Sequence, residues 1–194
     1  AIWKIGNYDM GVKHGDWVYY FEDGKKFKDG NFVDGKENGI WKEWHDNGNL
    51  KTEGYFDMGK MNKSWKAWHF NGKPKYVVNY ENYIKNGKSE YWFQNGQKRL
   101  VEHYEDSVLH GEYNTWYSNG NQAITGEYTH GIKDGKWQYY DLRGRHMRQE
   151  QYKDGRPSGK WITWFVNGNV KSELKYKKGL LHGKGTYYNR KGVA

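Results

Sequence analysis

The histidines of this chain have side chains that could do chemistry, as metal ligands or as general bases. His45 and His69 occupy equivalent positions, 24 residues apart. On neighbouring hairpins of a sheet their backbones would lie roughly 9–10 Å apart, and no third ligand accompanies them. His14, His110 and His182 share a slot directly before a glycine, where turn formation explains them better than catalysis. We therefore predict no metal site.

Acidic and nucleophilic side chains show no catalytic pattern. Glu53 and Glu173 lie on return strands, where each faces a residue of the outgoing strand as an ordinary cross-strand partner. No nucleophile stands near a base in a recognisable motif, and the Gly-x-Gly spacings mark turns rather than a phosphate loop. The sequence accordingly predicts no enzyme activity, no catalytic residue and no cofactor.

Tryptophans near lysines and arginines suit binding, because the ring offers a large contact area and the base favours the ring face. If Asn47-Gly48 is a two-residue hairpin loop, Trp44 lies opposite Lys51, Lys42 opposite Glu53, and Trp41 opposite Gly54. The same spacing pairs Trp68 with Lys75, Trp92 with Arg99, and Trp164 with Lys171. The predicted binding residues are these tryptophans, Trp116, and the four bases: Trp44, Trp68, Trp92, Trp116, Trp164, Lys51, Lys75, Arg99 and Lys171.

These residues recur because the whole chain repeats with a period of 24 residues. Glycine falls at 24, 48, 72, 96, 120, 144, 168 and 192, and the residue four before it is always aromatic. A second glycine recurs at 15, 39, 87, 111, 135, 159 and 183, with Lys63 as the exception. A fixed period of this kind is typical of a repeat array. We predict one array over residues 1–194, with about eight repeats and incomplete repeats at both ends.

Each repeat has the pattern of a β-hairpin. Ile40 to Asp46 is a candidate strand, Asn47-Gly48 a type I′ turn, and Asn49 to Phe56 the return strand. A longer turn over residues 34–39 joins one hairpin to the next. Connections this short pair successive strands antiparallel. The predicted fold class is all-β, with tandem 24-residue β-hairpin repeats forming an elongated open antiparallel sheet.

The two tryptophans of a repeat are predicted to face opposite sides of this sheet, because their positions differ by three, an odd number. Trp41, His45, Leu50 and Phe56 form the predicted packing side. Trp44 falls on the more polar side, among Lys42, Asp46, Lys51 and Glu53. Its column has two interpretations: aromatic stacking that stabilises neighbouring hairpins, or an exposed strip that docks a ligand.

Composition limits the classes of partner. Only 35% of the residues are hydrophobic, and no run approaches the 18 apolar residues of a membrane span. The formal net charge of +9 is compatible with anionic partners. Nucleic acid is not expected, since 23 acidic residues are interleaved with the 32 bases. The absence of cysteine excludes disulfides and does not determine the compartment.

The repeat resembles the bacterial variant of the MORN repeat, found in the YwqK-type antitoxin family. The resemblance is clearest in DGKENGIWKEWHDNGNLKTEGYF at 34–56 and DGRPSGKWITWFVNGNVKSELKY at 154–176, and it extends over essentially the whole chain. It implies tandem β-hairpins in an elongated sheet, no catalytic residues, and neutralisation of a toxin by binding. Eukaryotic MORN repeats are associated with membranes and phosphoinositides. Choline- and glucan-binding repeats, which also pair aromatics ahead of Asn-Gly, are a rival resemblance.

The sequence therefore predicts a non-catalytic protein that binds another protein, with toxin neutralisation as the leading form. The alternative is a surface-associated module that binds anionic membrane lipid or a cell-wall polysaccharide. The incomplete terminal repeats, Ile2 to Tyr8 and Lys184 to Ala194, indicate either a fragment of a longer chain or ends that are protected by a partner or by self-association through exposed strands. A cytoplasmic location is slightly favoured over the cell surface.

Overall fold

The computed structural model describes residues 3–194, and in this range every regular element is a β-strand. The predicted fold class, tandem β-hairpins in an open antiparallel sheet, is confirmed. Ile2, the first residue of the predicted incomplete repeat, lies outside the described residues. No helix in the described range is long and apolar enough to cross a membrane.

The chain divides into two compact units, Ala1–Gly96 and Gln97–Ala194, and each is described by itself. In the first unit, eight strands pair antiparallel in chain order. They are β1 (Trp3–Asp9), β2 (Val12–Tyr20), β3 (Lys26–Val33), β4 (Lys36–Trp44), β5 (Leu50–Asp57), β6 (Lys60–Trp68), β7 (Pro74–Glu81) and β8 (Ile84–Trp92).

The second unit continues the same pattern. Its strands are β9 (Lys98–Glu105), β10 (Val108–Trp116), β11 (Gln122–Thr129), β12 (Ile132–Tyr140), β13 (His146–Lys153), β14 (Arg156–Pro157), β15 (Gly159–Trp164), β16 (Val170–Lys177), β17 (Leu180–Leu181) and β18 (Thr186–Tyr187). The short strands β14 and β15 pair with β13 as one interrupted strand, and β17 and β18 pair with β16 in the same way.

The hairpin loop has three residues, so the predicted two-residue type I′ turn at Asn47-Gly48 is wrong. His45 N donates to Asn49 O at 2.8 Å, and Gly48 N donates to His45 O at 3.0 Å. Gly48 has a φ of 86°, whereas Asn47 has no positive φ. This is a type I turn followed by a left-handed glycine, the usual form of a three-residue loop. Asn47 Oδ1 accepts a hydrogen bond from Asn49 N at 3.0 Å, which supports the turn.

The three-residue loop shifts the register of the first cross-strand pair. Trp44 lies opposite Leu50, while the next pair, Glu43 with Thr52, already has the predicted register. Lys51 is the extra residue of a β-bulge between them. The predicted pairs further from the loop, Lys42 with Glu53 and Trp41 with Gly54, are confirmed.

The two-residue type I′ turn forms instead between hairpins, as at Asp34-Gly35. Val33 pairs with Lys36, and both loop residues have positive φ, 49° and 75°. The predicted six-residue turn over 34–39 is therefore wrong. Residues 36–39 already belong to strand β4, and Gly39, with a φ of 80°, marks a bulge within the paired strands. Lys63 adopts the same left-handed conformation, with a φ of 58°.

Indole rings over glycines form the core on one face of the first unit, and in the second unit Trp137 lies over Gly126 in the same way. Trp41 is 3% exposed, and its Nε1 donates to Asn31 O at 3.2 Å. A Cβ added to Gly30, on the preceding strand, would overlap the Trp41 ring, so the indole needs a glycine beneath it. Phe32 and Phe56 meet Trp41 edge-on at centroid distances of 5.0 and 6.4 Å. The predicted packing role of Trp41 and Phe56 is confirmed, whereas the predicted placement of Leu50 beside them is wrong, because Leu50 pairs with Trp44 and shares its face.

In the repeat spanning β7 and β8, a larger residue replaces the glycine and a smaller residue replaces the tryptophan. Val78 replaces the glycine, Ser89 replaces the tryptophan, and the two are cross-strand partners. Val78 is 4% exposed and Ser89 is fully buried. The larger valine fills the space that an indole occupies elsewhere, so the two substitutions compensate.

Gly48→Val is expected to destabilise the protein more than Lys51→Ala. No atom lies within 4 Å of a Cβ at Gly48, so the cost comes from the positive φ, which a β-branched residue resists. Lys51 is the extra residue of the bulge and contacts Glu43 at 3.4 Å, an ion pair of the kind that contributes about 0–1 kcal/mol. Thermal melts of the two variants test the three-residue loop, and equal shifts of the melting temperature would contradict the left-handed conformation of Gly48.

Candidate functional site

In each unit the predicted tryptophans lie in an alternating line beside the hairpin loops, which we call the turn-side row of that unit. It consists of the aromatic residue that ends each outgoing strand and the first residue of each return strand. In the first unit the paired members are Tyr20 with Lys26, Trp44 with Leu50, and Trp68 with Pro74, and Trp92 ends β8. In the second unit they are Trp116 with Gln122, Tyr140 with His146, and Trp164 with Val170.

The turn-side row lies on the face opposite Trp41. Lys26 Nζ stands 5.1 Å from the Trp44 ring centroid and donates to Asp29 Oδ2 at 2.8 Å. Asp29 points to the side opposite its neighbour Gly30, which lies under Trp41. The two tryptophans of the repeat thus face opposite sides, as their odd spacing predicts. All five predicted tryptophans are half-buried, so each ring keeps a surface open to solvent.

Three of the predicted base–tryptophan pairings are wrong because of the bulge. Leu50, Pro74 and Val170 take the places opposite tryptophan predicted for Lys51, Lys75 and Lys171. Lys51 contacts Glu43 instead, and Lys171 Nζ lies 6.0 Å from the Phe165 ring. Lys75, Arg99 and Lys171 are exposed. Their participation in binding stays a prediction, without the cross-strand contact that first suggested it for Lys75 and Lys171.

Other bases flank the tryptophans. Lys26 stands beside Trp44, Lys98 Nζ lies 6.0 Å from the Trp116 ring, and the His146 ring lies 5.2 Å from the Trp164 ring. All three are the first residue of a return strand, two positions after the three-residue loop. They were not predicted from the sequence, because a two-residue loop places the following residue of the return strand opposite each aromatic. Had a three-residue loop ending in a left-handed glycine been assumed, these three bases would have been placed in the row.

Asparagines of the loops connect one repeat to the next along the edge of the row. Asn47 Nδ2 and Asn49 Nδ2 both donate to Phe70 O, at 2.7 and 2.9 Å. Asn119 and Asn121 make the same pair of bonds to Leu142 O. Since the loops are fixed to each other, the tryptophans that precede them are held at regular intervals. This function, rather than a positive φ, accounts for the asparagine of the loop.

His45 and His69 take part in the same inter-repeat bonding. His45 Nε2 lies 3.2 Å from Trp68 O, and His69 Nε2 lies 3.1 Å from Trp92 O. Each imidazole therefore bonds the backbone of the next aromatic residue of the turn-side row. Both histidines act here as positioning groups for the row.

A carboxylate replaces the core glycine at Glu150 and organises a charged cluster. Glu150 is 4% exposed, accepts hydrogen bonds from Tyr139 and Tyr152, and pairs with Arg148 Nε at 2.9 Å. Burial, and then the hydrogen bond to Glu150, raises the pKa of Tyr152 from 10.0 to about 12 and raises that of Tyr139 further. A raised pKa favours the folded state below pH 10, and this contribution is lost as the pH rises through about 12. Ionisation of these tyrosines at high pH is therefore expected to destabilise the fold.

Comparisons with known proteins identify the repeat. Residues 13–34, 37–58, 61–82 and 157–178 match the MORN repeat variant, and these segments cover less than half of the chain. The chain is thus similar to MORN repeat variants at the level of its repeats. No curated protein gives a significant match.

Among solved structures, a chain in the crystal structure of TcdB2-TccC3-TEV shares 10% identity with this chain at a TM-score of 0.23. The match covers 90% of this chain and 13% of that one. So low a TM-score carries no argument about fold or function.

Proposed function

We propose that this chain is a non-catalytic repeat scaffold that binds another protein through the turn-side row. The observation that carries the proposal is the division of the aromatics between two faces. Trp17, Trp41 and Trp137 are buried in the core, whereas the five tryptophans of the turn-side row are half-buried, and Lys26, Lys98 or His146 lies beside three of them. Tryptophans flanked by bases are typical of the residues that dominate protein–protein affinity.

A protein partner fits the dimensions of the row. Equivalent tryptophans are separated by two strands, roughly 9–10 Å, so even three of them extend beyond the length of a small metabolite. Repeat proteins in general bind through such extended surfaces. Regular spacing by the loop asparagines keeps the rings in place before the partner arrives, which reduces the cost of ordering them.

Toxin neutralisation is the specific form that we propose. Its support is the resemblance of the repeat to those of the YwqK-type antitoxin family, strengthened by the four segments that match the MORN repeat variant. Neutralisation requires only a tight, blocking contact, which a rigid surface without catalytic groups can provide.

Co-expression tests this function. The protein encoded beside this chain in its genome should arrest growth when produced alone, and co-production of this chain should restore growth. Trp68→Ala combined with Trp92→Ala should abolish the protection, because it removes two neighbouring members of the turn-side row. Leu180→Ala, a 73% exposed residue elsewhere, should protect like the natural chain. Equal protection by the two variants would reject the row as the binding surface, and no protection by the natural chain would reject toxin neutralisation.

A basic surface depression favours a second candidate, the binding of an anionic polymer or membrane. It measures about 680 Å³ and is lined by four bases and one acid: Lys153, Arg156, Lys177, Lys178 and Asp154. Exposed charges bind anions through contacts that salt screens. Retention on vesicles with anionic lipid or on an anionic polysaccharide should then fall steeply between low and high salt, and Arg156→Glu with Lys177→Glu should remove it. Retention that changes neither with salt concentration nor in the Arg156→Glu/Lys177→Glu variant would exclude the binding of an anionic polymer or membrane at this depression.

A further inference from the structure

Among the described residues 3–194, three side chains able to bind a metal come together at one place. Glu105 ends strand β9, His110 lies in β10, and His130 follows β11 in the turn to the next hairpin. One ligand atom from each lies within 4.8 Å of the other two. The imidazole rings of His110 and His130 meet edge-on at a centroid distance of 4.9 Å, and His110 Nδ1 lies 3.4 Å from Glu105 Oε2.

The backbone of the repeat brings these residues together. Gly131 N donates to Leu109 O at 2.7 Å, so the His130-Gly131 turn is fixed beside His110. His130 N also lies 3.4 Å from His110 Nδ1. Equivalent contacts occur elsewhere with other side chains: Met58 N donates to Asn38 Oδ1 at 3.2 Å, and Asp154 N to Asp134 Oδ1 at 3.2 Å. The backbone arrangement is therefore common to several repeats. In this repeat the side chains that it brings together are two imidazoles and a carboxylate.

We propose that Glu105, His110 and His130 bind a divalent transition-metal ion, with Zn²⁺ as the best fit. Two imidazoles and one carboxylate form a ligand set that zinc takes in proteins, with water in the fourth position. Tetrahedral zinc ligands stand roughly 3.4 Å apart, so each side chain moves by about an ångström or less to close the site. Glu105 and His130 are exposed and have room for this rotation.

The bound ion would connect two consecutive repeats. Glu105 and His110 lie on either side of one inter-repeat turn, and His130 belongs to the next. A metal that binds this folded arrangement and not the unfolded chain raises the melting temperature increasingly as its free concentration exceeds the dissociation constant. Mg²⁺ prefers an octahedron of oxygen ligands and would not substitute for zinc here.

The repeats themselves supply variants that keep the fold. His110→Asn introduces the residue found in this slot at Asn38, Asn62 and Asn86, and His130→Asn introduces the residue found at Asn82, whose φ of 50° matches the 48° of His130. Asparagine keeps the local hydrogen bonding and removes a zinc ligand. The matched control is His14→Asn, in the slot of His110 but next to a turn that carries Asp34 in place of His130.

Calorimetric titration of tag-free protein with ZnCl₂, together with thermal melts with and without zinc, tests the site. We expect one saturable zinc per chain, a higher melting temperature with zinc, and no response to MgCl₂. His110→Asn and His130→Asn should each lower zinc affinity by about tenfold or more, at least the loss seen when an outer hydrogen-bond partner of a ligand is removed. His14→Asn should bind as the natural chain does. Zinc affinity that is unchanged in both variants, or no saturable binding by the natural chain, would overturn the proposal.

Discussion

Trp41→Ala is expected to lower the free energy of unfolding by about 3–5 kcal/mol, the range for removing a large buried aromatic side chain. Trp41 is 3% exposed, contacts Phe32 and Phe56 edge-on, and donates to Asn31 O. Its removal empties the space above Gly30, which has no side chain to fill it. Denaturant unfolding followed by tryptophan fluorescence and circular dichroism measures the loss.

Trp44→Ala is the control within the same repeat. Trp44 is half-buried on the other face, so its removal should cost clearly less than that of Trp41. Both variants lose the same number of atoms, and the difference between them isolates the burial of the two faces. Equal losses would contradict the assignment of Trp41 to the core and Trp44 to the turn-side row.

Gly54→Val is expected to destabilise the protein by about 3 kcal/mol, the upper end of the range for overpacking. A Cβ at Gly54 overlaps the ring of Trp65, which lies over this glycine and donates to Tyr55 O at 3.2 Å. Because the overlap involves the rigid centre of an indole, rotation of the side chain cannot relieve it. Urea unfolding measures the cost.

A second substitution should rescue this variant. Val78 and Ser89 already form the pair that Gly54→Val with Trp65→Ser would recreate one repeat earlier. The double variant should be more stable than the sum of the single losses predicts, by about 1–3 kcal/mol of coupling. Additive losses would show that the valine and the indole do not share one space.

Most of the fold could be predicted from the sequence, because the period of 24 residues repeats every local signal eight times. The alternation of Trp41 and Trp44 placed them on opposite faces, and the pairs Lys42 with Glu53 and Trp41 with Gly54 are correct. The close approach of the Trp65 indole to Gly54 was not predicted from the sequence. The loop error therefore leaves the faces of residues away from the loop unchanged and reverses the face of Leu50 beside it.

The register beside the loops could not be predicted, because the same dipeptide serves two turn geometries. Asn47-Gly48 suits a type I′ turn by residue preference, yet Asn47 donates to Phe70 O in the next repeat, an interaction that the chain order does not display. The type I′ turns fell at positions such as Asp34-Gly35 and, with a non-glycine pair, Asn82-Tyr83. This one-residue error moved the predicted bases away from the tryptophans.

The candidate site was predicted in its aromatic half. The tryptophans follow directly from the repeat, whereas Lys26, Lys98 and His146 depend on the length of the loop. The prediction of no metal site rested on His45 and His69, and it did not compare His110 with His130. Those two residues are 20 apart in sequence and become neighbours only through the bond of Gly131 to Leu109.

The central claim is that one face holds the fold together and the turn-side row binds the partner. Titration calorimetry of the partner protein into the natural chain, the Trp68→Ala/Trp92→Ala variant and Leu180→Ala, with a thermal melt of each, tests it most directly. We predict that the double variant stays folded and loses more than about 2 kcal/mol of binding free energy, the scale of a hot spot, while Leu180→Ala binds normally. Undiminished binding by the double variant, or its unfolding under conditions where Trp41→Ala remains folded, would contradict the account.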